Sequence, residues 1–438
     1  MSARKKLRLL QLAAIIFLTV SGGPYGLEPL LGYAGRNGSL LLLLVTPLLW
    51  DIPAVLTVLE LNSMMPVTGG YYQWVKRALG LRFALYEGWW TWLYTFVDLA
   101  IYPVLFVEYA AFFFPEIHPY KIPICLCLVW GCAILNILGI VPVGKTAIVL
   151  GFLVLSPFAV LFAIALYRHG GMYAIPAFSL KGIGFSSLGM GLYTVMWNFL
   201  GWDNATTYAE EVENPVKSYL YSVGIAFVVV MVVYFFIVLI SVQSGMGLQG
   251  IVSDTFSSLG SFIGGKWLGA FVAFGGLAST FGIYSSVLLS VSRVPKVMAD
   301  DGFLPRHLNK MHLKYNTPYV SIITCSLVVS VMVIFTFGEL IIMDVTLYGA
   351  GLLLEFVSLI VLRLKFPDEH RPFKIPLNVF GLCGMILLPL SVYSIAMAGA
   401  FASSEAVYTP LVGALVVMVL AEVLWQVYRW STRRNRLV

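Results

Sequence analysis

Asp98 sits in Phe96-Val97-Asp98-Leu99-Ala100, in the middle of an apolar run long enough to cross a bilayer. An ionisable group in hydrocarbon is costly, so an acid in such a run is a functional candidate by default. Tyr102 follows four residues on, hence on the same face of a helix. Two more acids lie where apolar runs are interrupted. Glu28 closes Ser21-Gly22-Gly23-Pro24-Tyr25-Gly26-Leu27-Glu28, where the N-terminus of a new helix would stabilise it. Asp203 lies in Trp197-Asn198-Phe199-Leu200-Gly201-Trp202-Asp203-Asn204. Facing one cavity, three carboxylates can bind an ammonium group. They can also carry a proton, because burial and like-charge neighbours push a carboxyl pKa towards neutrality. The ordinary alternative is that each caps its own helix break or pairs with a buried Tyr or Trp. Glu355, deep in a later run, joins Asp98, Asp203 and Glu28 as a proton-coupling candidate.

Other residues rank lower. Asp51 precedes Pro53 and can simply satisfy that kink; Glu108 and Asp344 fall towards the outer side. Glu60, Glu210, Glu211 and Glu213 lie near basic residues and suit an inner gate or an ordinary charged interface. Tyr25, Tyr102, Trp202 and Tyr284 fall at breaks or on candidate cavity helices, where aromatic faces stabilise a cation. Packing is the default reading for any one of them. No His/Cys cluster suggests a metal, no cofactor motif is present, and no Ser/His/Asp arrangement suggests hydrolysis. Gly144-Lys145-Thr146 lacks the glycine spacing of a phosphate loop.

The elements that position these groups follow from composition. Of 438 residues 60% are hydrophobic and only 11% are charged, with mean hydropathy +0.90. Soluble domains carry about 25% charged residues, so a soluble enzyme, a disordered chain and a disulfide scaffold are excluded. Twelve apolar segments are expected, at 9–35, 38–65, 84–114, 121–141, 144–168, 186–214, 216–242, 265–296, 317–336, 339–364, 379–400 and 408–430. Arg4-Lys5-Lys6 before the first run imitates a signal peptide, but an uncleaved first helix is expected, since no soluble domain follows. With the N-terminus inside, 22 of the 27 Lys and Arg residues fall on the cytoplasmic side. The positive balance thus speaks of orientation in a bilayer rather than of nucleic-acid binding. Both termini are expected in the cytoplasm, and the protein in the plasma membrane, or the inner membrane of a bacterium.

The first and sixth segments are both broken by glycine or proline. Backbone groups freed in this way are tolerated in a membrane only where they line a cavity or bind something. Breaks five segments apart match two inverted five-helix repeats, each opening with a discontinuous helix, the best sequence pointer to a transporter site. The repeats would span about 9–168 and 186–364, followed by two further helices over 379–430 in a single membrane domain.

The chain also resembles the amino acid–polyamine–organocation transporter superfamily, most of all its polyamine/proton symporter branch. The resemblance rests on Ser21 through Glu28, Trp50 to Pro53, Gly69-Gly70-Tyr71, Glu87-Gly88-Trp89-Trp90 and Tyr102-Pro103-Val104-Leu105-Phe106. It continues through Trp202-Asp203, Glu211-Val212-Glu213-Asn214-Pro215, Asp301-Gly302-Phe303-Leu304-Pro305 and Glu355-Phe356. It implies a LeuT-type fold of twelve helices working by alternating access, with a substrate site between helices 1, 3, 6, 8 and 10. By that resemblance Gly22, Gly23 and Gly26 meet substrate through main-chain atoms, and Asn198, Gly201, Trp202 and Asp203 contribute from helix 6. Gly69-Gly70-Tyr71-Tyr72 resembles the segment that helps close the inner side. One departure is plain: many amino acid members carry a lysine inside helix 5, whereas here Lys145 stands at its entrance and 147–166 contain none. That puts lysine-based coupling in question.

The expected activity is proton-coupled transport of an amine or amino acid. Three acids are a surplus for a neutral amino acid, which favours a polyamine or cationic amino acid. Glycine N–H groups in helix 1 would suit a carboxylate and keep a neutral amino acid permease or exchanger as the alternative. A channel or a substrate sensor is the reading from another class. Oligomeric state is left open.

Overall fold

Backbone polar groups cannot go unpaired in hydrocarbon, and the chain meets that demand with helices throughout. The structure, a computed structural model, describes residues 6–168, 177–334, 337–402 and 408–434. Arg4, Lys5 and Arg436 of the charge pattern, and positions 335–336 of the ninth expected segment, lie outside the described residues. Within them the order is α1 (Leu9–Val20), α2 (Glu28–Thr46), a wide π turn (Pro47–Asp51), α3 (Ile52–Met64), α4 (Gly70–Leu79), α5 (Leu81–Ala111), α6 (Lys121–Ile137), α7 (Ile140–Arg168) and α8 (Phe185–Trp197). A 3-10 segment (Asn204–Glu211) then leads to α9 (Pro215–Gln243), α10 (Leu248–Gly264), α11 (Lys266–Val291), α12 (Val294–Asp300), α13 (Tyr319–Met332), α14 (Phe337–Lys365), α15 (Val379–Phe401) and α16 (Tyr408–Arg434).

Among the described residues nine helical stretches are long and apolar enough to cross a membrane. The other three expected spans are shorter. α1 has 12 residues, α8 has 13 and α13 has 14, against about 20 for a full crossing. α1 and α8 are short because each ends at a break: Gly22, Gly23 and Gly26 all have positive φ after α1, and Gly201 has φ +94° after α8. α2 is kinked at Gly35 (φ +60°, ψ −167°), at the boundary between the first and second expected segments.

Two helices lie wholly outside the expected segments, and α12 runs past the end of the eighth. α4 lies between α3 and α5, and α10 between α9 and α11. α4 seats on the 3-10 segment because residue 70 is glycine: a Cβ there would fall 2.1 Å from the Thr206 hydroxyl.

One end of the bundle is basic and pinned by ion pairs. Lys76 meets Asp301 at 2.6 Å, Arg77 meets Glu369 at 2.7 Å, and Arg293 meets Glu211 at 3.1 Å. Glu60 takes Arg363 at 2.5 Å and Arg371 at 3.4 Å. Burial pulls the Arg371 guanidinium below its ordinary value, and the Glu60 carboxylate beside it works the other way. The N-terminal segment adds a backbone clasp. The Leu7 N–H donates to the Glu211 carbonyl and the Glu213 N–H donates to the Leu7 carbonyl, both at 2.9 Å.

Candidate substrate site

α5 and α14 pack along each other, and between them and the two breaks lies a small polar pocket. Its ten lining residues are Thr19 and Val20 from the end of α1, Tyr94, Asp98 and Tyr102 from α5, Trp197, Leu200, Gly201 and Asn204 from the second break, and Asp344 from α14. The cavity is about 10 Å³, room for about one water. An amine with a carbon chain therefore needs side chains to part, and the pocket is closed in this conformation.

Helical spacing explains the lining. Tyr94, Asp98 and Tyr102 recur at four-residue intervals, one turn apart on a single face of α5. The Tyr102 hydroxyl donates to Asp98 Oδ1, and its ring stacks on Trp197 with centroids 6.4 Å apart. The Trp197 indole also faces the Asp98 carboxyl. Asp344 is 1% exposed, faces Asp98, and neither of its carboxyl oxygens has a hydrogen-bond partner. Two buried carboxyls on facing helices, among three aromatic rings and with no lysine or arginine in the lining, suit a cation.

Beneath the pocket, Tyr348 of α14 ties the second break together. Its hydroxyl donates to Asp203 Oδ1 at 2.9 Å and accepts the Gly201 N–H at 3.4 Å. Its ring meets Tyr94 edge-on at 5.2 Å. Tyr94 in turn donates to Asn204 Oδ1 at 3.3 Å. Gly201 needs its glycine: its φ is left-handed, and a Cβ would fall 2.8 Å from Asn204 Nδ2.

Of the twelve expected binding residues, Asp98, Tyr102 and Gly201 line the pocket. Asp203 lies just below it. Trp202 packs away, its carbonyl accepting from Tyr219 and its indole facing Asp51 without closing a hydrogen bond. The carbonyls of the first break are taken up by neighbouring elements. Ser279 donates to the Gly22 carbonyl, Tyr234 to the Gly23 carbonyl at 3.3 Å, and Asn198 Nδ2 to the Gly26 carbonyl at 3.4 Å. Tyr25 donates to the Val272 carbonyl at 2.9 Å and packs on Tyr109 and Phe158. Glu28 is not brought to the pocket. It accepts from the Gly26 N–H at 2.7 Å, the Tyr109 hydroxyl at 2.6 Å and the Phe256 N–H at 3.2 Å, so its oxygens tie the break to α5 and α10. Tyr284 is buried near Cys132 and Cys325. Glu355, buried on α14, faces Asp203 rather than the pocket.

Seven lining residues were not expected: Thr19, Val20, Tyr94, Trp197, Leu200, Asn204 and Asp344. Tyr94 carried a signal, the four-residue step to Asp98. Asp344 carried one too, as an acid inside a hydrophobic helix, but its position in sequence suggested the outer side rather than a partner for Asp98.

Comparison with known proteins places this chain in a family. The family model described as amino acid permease matches residues 7–420. Polyamine transporter RMV1 of Arabidopsis thaliana is 32% identical over 427 residues, covering 97% of this chain and 86% of the relative. Polyamine transporter PUT1 of Oryza sativa subsp. japonica is 33% identical over 403 residues, covering 91% and 74%. The cystine/glutamate transporter of Homo sapiens is 26% identical over 423 residues, covering 89% and 81%.

Proposed function

The chain belongs to the amino acid permease family, and from that membership and its pocket we propose that it is a proton-coupled, alternating-access transporter of cationic amines, polyamines before cationic amino acids. The observation that carries this reading is the facing pair Asp98 and Asp344, buried beside aromatic rings without a resident basic group. A buried carboxylate without a cation is expensive. Such a pair favours either a bound ammonium or a proton, and competition between the two is one way to build symport. The small closed cavity and the ion-paired basic end fit one state of an alternating-access cycle. The overall arrangement we read as twelve spans in two inverted repeats, discontinuous in the first and sixth. The basic end faces the cytoplasm with both termini, in the plasma membrane or a bacterial inner membrane.

Uptake by proteoliposomes tests the reading. Labelled putrescine, spermidine, arginine, leucine and alanine are supplied with and without an inward proton gradient. Gradient-driven polyamine uptake is expected. Uptake of leucine or alanine alone would move the acids to coupling or structural roles, and polyamine flux indifferent to any gradient would remove the coupling.

A further inference from the structure

Below the pocket lies a second group of buried carboxyls that pocket binding does not use. Glu87 of α5 and Glu355 of α14 are each 1% exposed, and Asp203 is 2% exposed. Glu355 faces both Asp203 and Glu87. Glu87 accepts from Thr91 through Oε1 at 3.1 Å, while its Oε2 and the Oε2 of Glu355 have no partner. The other titratable groups facing these acids are tyrosines: Tyr71 from α4, Tyr94 from α5, Tyr219 from α9 and Tyr348 from α14. Among the described residues no lysine or arginine is a charged group facing them. Tyr71 is an independent sign of an absent partner. It is 0% exposed, comes from a different helix, faces the same three acids, and its hydroxyl makes no hydrogen bond. Carboxylates this close cannot all be charged without a cation or proton among them.

The spacing repeats on both helices. Asp98 lies 11 residues after Glu87 on α5, and Glu355 lies 11 residues after Asp344 on α14. At about 1.5 Å per residue, each step is about 16 Å. Because Asp98 faces Asp344 and Glu87 faces Glu355, the antiparallel helices carry two acidic stations in register. Tyr94 stands between them, facing Asp344 above and Asp203 below, with its ring against Tyr348 as the bar. Gly351 lets the lower station close up: a Cβ there would fall 3.2 Å from Glu87 Oε1.

We propose that Glu87, Glu355 and Tyr71 form a second ammonium station, so that a long linear polyamine engages Asp98 and Asp344 with one end and this station with the other once the Tyr94–Tyr348 pair parts. The inference rests on the amine-transport reading and adds selection by length. An extended chain advances about 1.2 Å per bond. Thirteen bonds between end nitrogens, as in spermine, therefore reach about 16 Å, whereas the five of putrescine reach about 6 Å.

Equilibrium binding of spermine and putrescine to the full chain in detergent, by titration calorimetry, tests it. The parent is expected to bind spermine at least tenfold tighter. Glu355→Gln and Glu87→Gln should each raise the Kd of spermine at least tenfold more than that of putrescine, with Tyr71→Phe in the same direction and smaller. Equal shifts for the two amines, or no shift, overturn the second station. Should a carboxyl variant aggregate on gel filtration, the other variant and Tyr71→Phe decide by the same ratio. A parent that binds the two amines equally, and loses both in Asp98→Asn, keeps the transport reading and discards this one. A parent that binds neither discards both.

Discussion

Glu60 and Asp344 are both buried acids on long apolar helices, and their surroundings differ in one respect. Glu60, 0% exposed, is held by the guanidiniums of Arg363 and Arg371 and by the Ile375 N–H at 2.8 Å. Asp344, 1% exposed, has Asp98 for a neighbour and no hydrogen bond. A buried charge is tolerated when it is paired and costly when it is not. The first acid is therefore construction, fastening α3 to α14 and the connection after it. The second stands open beside a pocket, which is where a cation that arrives and leaves belongs. Glu28 lies between these cases, satisfied by neutral donors alone.

The contrast breaks most sharply at Glu60. Glu60→Gln leaves Arg363 and Arg371 buried without their counter-charge and should cost about 3–5 kcal/mol. The check is a thermal or urea transition in detergent, and a variant as stable as the parent would erase the distinction. Asp344→Asn should leave that transition in place or raise it, because the carboxylate it removes has no partner to lose. Transport should respond in the other sense. Asp98→Asn is expected to abolish uptake of a cationic substrate, and Asp344→Asn to cut it at least tenfold. Uptake at the parent's rate in Asp98→Asn would sink the assignment of the pocket.

How much of this was legible beforehand follows the same line. The helical class was plain, because 60% hydrophobic and 11% charged residues leave no solvated surface. Both breaks were legible, since Gly and Pro act on their own backbone. Asp98 and Tyr102 were legible for the same local reason, a four-residue step on one face. What the sequence could not convey was pairing across the bundle. Asp344 meets Asp98, and Arg363 meets Glu60, across more than 200 positions. Glu28 and Asp98 looked alike until the structure gave Glu28 three donors. Tyr25 looked like a cavity aromatic because it lies in a break, and Tyr284 because it lies on a candidate cavity helix; neither position names the side chain's neighbours. α4 and α10 were missed because neither is apolar over a membrane-length run.

Gly201 sharpens the comparison from the backbone side. Its left-handed φ and the nearby Asn204 amide leave no comfortable place for a methyl group. Gly201→Ala should destabilise by about 1–2 kcal/mol, and should weaken amine uptake by displacing the Tyr348–Asp203 contact. A variant that loses stability but keeps the parent's KM would show that the break serves the fold alone.

The smallest effect is expected at the basic end. Tyr72 of α4 donates to Asp301 Oδ2 at 2.5 Å, beside the Lys76–Asp301 ion pair. Tyr72→Phe removes one hydrogen bond to a partly exposed carboxylate and should cost about 1 kcal/mol. Burial first, then the Asp301 carboxylate, holds the Tyr72 hydroxyl well above its ordinary value. The sign follows: a group whose value is raised on folding contributes fully below its unfolded value, about 10, and loses that contribution as pH rises further. The parent's stability advantage over Tyr72→Phe should thus be flat from pH 6 to about 9 and shrink above about 10. A difference that already varies between pH 6 and 9 would mean that the basic end is fastened by a group other than this tyrosine. The line between paired construction and the unpaired acids of the pocket would then have to be redrawn at α4.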